Sequence, residues 1–215
     1  MKQHSPGDVT GPAQNPGLTR LTSRFEDALI CATQAHAGNC RKGTNTPYIS
    51  HPLAVASLVL ENGGDEDEVI SALLHDTAED AGGQRRLQDI RAQFGDRVAN
   101  IVDACSDAYG DAAAGLAKPP WRERKEHHLD CMRSAPPSVL LVTAADKLHN
   151  ARAVLGDYKI MGEQLWSRFN AGRDDSLWYY RSVANILSTR FPSPLTEDLR
   201  RTVEELEALA RDSES

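Results

Sequence analysis

Apolar residues in this chain recur at three- and four-residue steps, and nowhere alternate for long enough to make a convincing strand. That period gathers them on one side of a helix, so each segment must bury its stripe against another helix. In TSRFEDALICATQAHAG, Phe25, Ala28, Leu29, Ala32 and Ala35 share a face, Thr22 or Ser23 offers a cap, and Gly38 stops the pattern. GTNTPYIS reads as a loop because Pro47 breaks any helix. HPLAVASLVLENGG predicts a helix with Pro52 in its first turn and Gly63–Gly64 at its end. DEDEVISALLHDTAED predicts another, acidic at the positive end of its dipole and closed by Gly82–Gly83.

The rest follows the same rule. Helices are expected from about Arg85 to Phe94, from Asp96 to Cys105, and over the polar stretch WRERKEHHLDCMRS, with GDAAAGLAKPP as a loop before it. After Pro136–Pro137, SVLLVTAADKLHNARAVLGD reads as one helix, apolar first and polar later. LWSRFN, SLWYYRSVANILSTR and the amphipathic LTEDLRRTVEELEALARD complete the chain, the last suited to bundle packing or to a homodimer contact. The expectation is an all-α, single-domain helical bundle over residues 18–212. Residues 1–17, rich in Pro, Gly and polar side chains and lacking an apolar h-region, read as a disordered leader.

Net charge is −7 over 215 residues, which excludes a nucleic-acid binder held by bulk charge. An anionic ligand has to be caught locally, by a few Lys and Arg in a pocket. No apolar run approaches the ~20 residues of a membrane span. The four cysteines stand far apart, without a C-x-x-C pair, and read as reduced thiols of a cytoplasmic protein.

ALLHDTAED is harder to explain by packing alone. His75, Asp76, Glu79 and Asp80 crowd into six positions directly after a buried run. In an unbroken helix His75 and Glu79 share one face, and Asp76 and Asp80 the next. Asp146 and Asn150 repeat that four-residue step downstream, and His51 opens its own helix before Pro52. Each of these imidazoles and carboxylates sits at the inner end of an apolar segment. A buried charge without a partner costs on the order of 3–5 kcal/mol, and a shared cation satisfies several at once. Two His and two carboxylates without thiolate suit Mn²⁺ or Fe²⁺ better than a structural zinc. Adjacent His and Asp reach one ion only from a helix end or by a rotation between faces, which leaves positions for water that Glu79 or Asp80 would orient or deprotonate. Metal-assisted hydrolysis is the chemistry expected.

The blocks AHAGNCRKGTNTPYISHPLAVA, ALLHDTAED and TAADKLHNAR, with the spacing between them, resemble the hydrolase domain of the RelA/SpoT family within the HD metallohydrolase superfamily. The resemblance runs from about residue 25 to residue 190, without room for the synthetase or regulatory domains of long members. The chain is thus similar to small stand-alone alarmone hydrolases such as the metazoan SpoT homologue. The resemblance implies an HD-domain bundle, Mn²⁺ held by His51, His75, Asp76 and Asp146, and a water positioned by Glu79 and Asp80. It implies a nucleotide alarmone as substrate, (p)ppGpp or its adenosine counterpart, losing pyrophosphate from the ribose 3′ position. Arg41 and Lys42 match the basic pair that meets base and phosphates, in keeping with a local catch for a polyanion and with the stacking of Arg on a purine. Asn150 matches a polar residue lining the pocket.

Further phosphate contacts are sought among Trp121, Arg122, Arg124 and Lys125, and among Arg168, Arg173 and Arg181, with Arg124 and Arg173 chosen. His36 reads as a helix cap or a substrate contact. Trp166, Trp178, Tyr179 and Tyr180 read as core, and His127, His128 and His149 as solvent-facing. Two rival readings remain: a different HD phosphohydrolase, and a sensor that binds nucleotide without turnover.

Overall fold

The computed structural model describes residues 19–80, 83–106 and 119–212. The expected leader and most of the GDAAAGLAKPP loop lie outside them. Among the described residues the chain is helical, and the extended pairing is confined to a single bridge between Cys40 and Pro47. The order is α1 (Ser23–Ala35), α2 (Ser50–Glu61), α3 (Glu66–Leu74), α4 (Thr77–Asp80), α5 (Gly83–Phe94) and α6 (Asp96–Cys105). Then come α7 (Trp121–Ser134), α8 (Pro137–Met161), a 3-10 segment (Gly162–Arg168), α9 (Gly172–Arg190) and α10 (Pro194–Asp212).

Helix α3 is the axis of the N-terminal half. A reciprocal cap starts it: the Asp65 side chain accepts from Glu68 N–H at 3.1 Å, and Asp65 N–H donates to Glu68 Oε2 at 2.8 Å. Val69 to Leu74 are all buried, because α1, α2, α6 and α8 pack around it. Burying side chains such as Ile70, Leu73 and Leu74 contributes roughly 1.5–3 kcal/mol each, so this helix cannot slide without losing most of the core.

Where one helix over DEDEVISALLHDTAED was expected, the chain breaks at His75–Asp76 and restarts as the one-turn α4. The break is capped from within. His75 Nδ1–H donates to the Ala72 carbonyl at 2.8 Å, and the Thr77 hydroxyl donates to the Leu74 carbonyl at 2.7 Å, satisfying carbonyls that the helix end orphans. The unbroken helix on which the expected face-sharing of His75 with Glu79 depended is therefore absent.

Helix α8 is the second axis. Its first half, Val139 to Asp146, is buried without a break, which fits a helix covered on all sides. Helix α10 lays Leu195, Leu199, Val203, Leu206 and Ala210 along α8 and α9. Its apolar stripe is therefore used inside the chain. No helix of the described residues is long and apolar enough to cross a membrane.

Candidate metal centre

The break after α3 places His75 and Asp76 at a helix end, facing the start of α2 and the middle of α8. His51, the second residue of α2, and Asp146, at the end of the buried half of α8, point at the same spot. His51 Nε2 lies 3.1 Å from Asp146 Oδ1 and 3.4 Å from Asp76 Oδ2; His75 Nε2 lies 3.1 Å from Asp76 Oδ2 and 3.7 Å from Asp146 Oδ1. Ligand atoms of His51, His75 and Asp76 all fall within 4.8 Å of one another. Asp146 also stands against both imidazoles, outside that mutual set. Both imidazoles are almost fully buried and Asp76 is partly open.

The residues fit a divalent cation. With Nδ1 committed to the Ala72 carbonyl, His75 turns Nε2 inward, where it is buried without a hydrogen bond although Asp76 is within ion-pair distance. Side chains that converge at this distance without hydrogen-bond alignment share a point, not a bond. Two imidazole nitrogens and carboxylate oxygens, without a thiolate, form the donor set of a hydrolytic ion.

Electrostatics agree with the geometry. Burial opposes the charge on His75, yet Asp76 and Asp146 outweigh it and hold the imidazole well above its ordinary pKa. Burial likewise opposes the charge on Asp76, but His75 and His51 hold that carboxyl well below the usual range. For Asp146, burial is again overcome, by Lys147 first and then by the two imidazoles. Each group is poised to be ionised through its neighbours.

Around this cluster runs a layer of positioning contacts. The Tyr48 hydroxyl donates to Asp76 Oδ2 at 2.6 Å. Lys147 Nζ holds Asp146 Oδ2 at 2.7 Å, and Asn150 Nδ2 donates to Asp146 Oδ1 at 2.5 Å. Asn150 Oδ1 in turn accepts from Arg41 Nη2 at 2.7 Å. His149, expected in solvent, instead sets its Nδ1 2.8 Å from His51 Nδ1. Burial first, and then the neighbouring His51 and Arg41, push its pKa down to about 4.

A cavity of about 540 Å³ lies beside the cluster, lined among others by Arg41, Lys42, Tyr48, His149, Asn150 and Tyr180. Gly43, at φ +74°, makes the tight turn of the basic loop, with the Arg168 side chain directly below it. A smaller cavity of about 200 Å³ shares Asn150, Phe169 and Tyr180 with the first and adds Trp121, Lys125 and Lys147. Tyr180, expected in the core, is a wall of both.

Of the side chains singled out by sequence, the fold thus gathers His51, His75, Asp76, Asp146, Asn150, Arg41 and Lys42. Glu79 and Asp80 close α4, directly after the cluster, with side chains outside the described residues. Arg124 and Arg173 line neither cavity. Arg173 Nη2 donates to the Ala210 carbonyl at 2.5 Å, fastening α9 to the end of α10, and Lys125 takes the cavity position that Arg124 was chosen for. One more expectation fails on burial: His128 packs inside, 6.3 Å from Tyr179 ring to ring. His36 takes the first of its two expected roles, as the C-cap of α1, with its ring buried 4.7 Å from that of Tyr48. Sequence reasoning also passed over Tyr48 and Lys147. Lys147, next to Asp146, was open to suspicion; Tyr48 was hidden inside a loop.

Comparison with known proteins adds the family. The chain is 38% identical over 136 residues to a Mycobacterium leprae protein named "Probable GTP pyrophosphokinase", 61% of this chain and 16% of that one. It is 33% identical over 137 residues to an Escherichia coli O157:H7 protein named guanosine-3′,5′-bis(diphosphate) 3′-pyrophosphohydrolase, 61% of this chain and 18% of that one. It therefore spans less than a fifth of these curated relatives. The solved structure of a metazoan ortholog of SpoT shares the fold, with a TM-score of 0.66 and 23% identity over 88% of this chain and 97% of that one. Since residues 28–176 match the model described as HD domain, with the His51–His75–Asp76 cluster inside the matched segment, the chain belongs to the HD domain family.

Proposed function

We propose that this chain is a metal-dependent hydrolase that removes pyrophosphate from the ribose 3′ position of guanosine or adenosine alarmones, (p)ppGpp or (p)ppApp. The observation that carries the reading is the convergence of two buried imidazoles and two carboxylates beside a cavity walled by a basic pair. An acidic chain with net charge −7 needs such a local catch for a polyanion. Relatives carry both a pyrophosphokinase and a pyrophosphohydrolase name. The cluster favours the second, since a His and carboxylate set beside an open cavity is the equipment of hydrolysis.

His51, His75, Asp76 and Asp146 would hold the ion, and the donor set points to Mn²⁺. A divalent ion bound there supplies a Lewis acid and lowers the pKa of a water. The protein's own groups do the rest. Arg41 and Lys42 hold the nucleotide, and the guanidinium is already stationed near Tyr48, 5.7 Å from its ring centroid, and tied to Asn150. Tyr48, Asn150 and Lys147 keep the two carboxylates oriented. Glu79 and Asp80, carried on α4 beside the cluster, steer the attacking water toward the 3′ phosphorus. The four cysteines are unpaired in the fold, which supports a reducing, cytoplasmic setting.

Incubation of the purified chain with Mn²⁺ and ppGpp tests the reading: GDP and pyrophosphate are the expected products. A chain that binds Mn²⁺ and cleaves neither guanosine nor adenosine alarmones would sink the substrate assignment.

A further inference from the structure

His149 lies one residue from Asn150 and three from Asp146 on α8, yet its side chain turns to neither. Its Nδ1 meets His51 Nδ1 at 2.8 Å, with ring centroids 4.8 Å apart. Two imidazole nitrogens at that distance share one proton; a proton on both would set two N–H dipoles head to head, and a proton on neither would oppose two lone pairs. The other nitrogen of His51, Nε2, faces Asp146 and Asp76. A cation in the cluster needs the lone pair at that Nε2, so the His51 proton has to sit on Nδ1. The shared proton then belongs to His51, and His149 is the acceptor.

We infer that His149 is the positioning residue that fixes the tautomer and ring orientation of His51, and that this forces the proton of His149 onto its own Nε2. The inference rests on the metal reading above and is independent of which nucleotide is cleaved.

Three features support it. A metal-binding imidazole generally gives its second N–H to a neighbour that orients it, and His75 already does so through Ala72. For His51, the partner of Nδ1 is His149. His149 also lines the larger cavity, beside Arg41 and Asn150. The chain of contacts runs from the cluster through His51 and His149 to the cavity wall, and both histidines sit on rigid helices, α2 and α8.

Mn²⁺ alone is the probe, with the full chain and free Mn²⁺ counted by its electron paramagnetic resonance signal. His149→Ala is expected to weaken binding about 10- to 100-fold, the usual loss when an orienting partner is removed. His149→Asn, whose amide oxygen accepts from His51 Nδ1–H, is expected to recover most of that affinity, which a merely space-filling role would not predict. In Zn²⁺-loaded protein with ¹⁵N-labelled imidazoles, His149 is expected to show protonated Nε2 and bare Nδ1. Unchanged affinity in His149→Ala, an Asn variant as weak as the Ala variant, or a His149 protonated at Nδ1 overturns the inference while leaving the metal reading standing. A wild-type chain that binds no Mn²⁺ removes both.

Discussion

Asn150 bridges the cluster and the basic loop: its amide nitrogen donates to Asp146 Oδ1 at 2.5 Å and its amide oxygen accepts from Arg41 Nη2 at 2.7 Å. One side chain, one helical turn beyond Asp146, thereby ties a carboxylate of the candidate metal centre to the cation that would meet the substrate. Hydrogen bonds to charged groups are worth about 1.5–3 kcal/mol, so Asn150→Ala should release Arg41 and lower kcat/KM for ppGpp about 10- to 100-fold. Most of the loss should appear in KM. Steady-state kinetics decide it, and an unchanged KM would show that Arg41 needs no tether.

Tyr48→Phe tests the layer around the ion. The substitution removes the 2.6 Å contact to Asp76 Oδ2 and keeps the ring that packs against His36. Mn²⁺ affinity, read by calorimetric titration, should fall roughly tenfold with little change in melting temperature. A variant that binds as tightly as the wild type would free Tyr48 of any part in holding Asp76.

Removal of the ion and removal of a ligand should differ in reversibility. EDTA should abolish ppGpp turnover and added Mn²⁺ should restore it. Asp76→Ala should abolish turnover that no Mn²⁺ addition recovers, because Asp76 is one of three residues whose potential ligand atoms lie within mutual reach. Product release monitored by chromatography gives the readout; residual activity in Asp76→Ala under excess Mn²⁺ would contradict the assignment.

Stabilisation by metal should grow with pH. His75 is raised above its ordinary value of 6.5 by the carboxylates despite burial, so in metal-free protein its contribution is full below that value and is lost as pH rises through the folded pKa. Asp76 and Asp146 are depressed, so their contributions are present above the ordinary carboxylate value and are lost as pH falls through the folded pKa. Metal-free chain is therefore most stable, as far as these groups decide, between the two ranges. Mn²⁺ has to displace the His75 proton, so the rise in melting temperature on adding Mn²⁺ should be larger near pH 8 than near pH 6 (roughly one unit either side of neutrality). A larger rise at the lower pH would reverse the sign and refute the coupling.

Gly64→Ala is a test of the scaffold alone. A Cβ there would collide with Val59 Cγ1 and come within 2.9 Å of the Val59 carbonyl, where α2 turns into α3. Overpacking of this kind costs typically 1–3 kcal/mol, and denaturant unfolding should show that loss. A neutral result would mean the turn relaxes freely.

The chain's own residue order determined a good deal. Three- and four-residue apolar periods, with Pro and Gly between them, are local signals, and they specify helices whatever packs against them; α1, α2, α6, α7 and α10 follow from them almost residue by residue. His75, Asp76 and Asp146 were legible because they end buried runs, where an ionisable side chain needs a partner, and His51 because it opens its helix directly before Pro52. Tertiary structure decided the rest. The apolar period does not reveal that the helix through ALLHDTAED stops at His75, where His75 and Thr77 cap it from within and four helices pack on α3. The same limit hid His149 and His128 and misplaced Arg173. Whether a polar side chain on a helix meets water, a ligand or another element depends on what lies across from that face, and that neighbour comes from a distant stretch of chain: His51 for His149, Tyr179 for His128, and the end of α10 for Arg173.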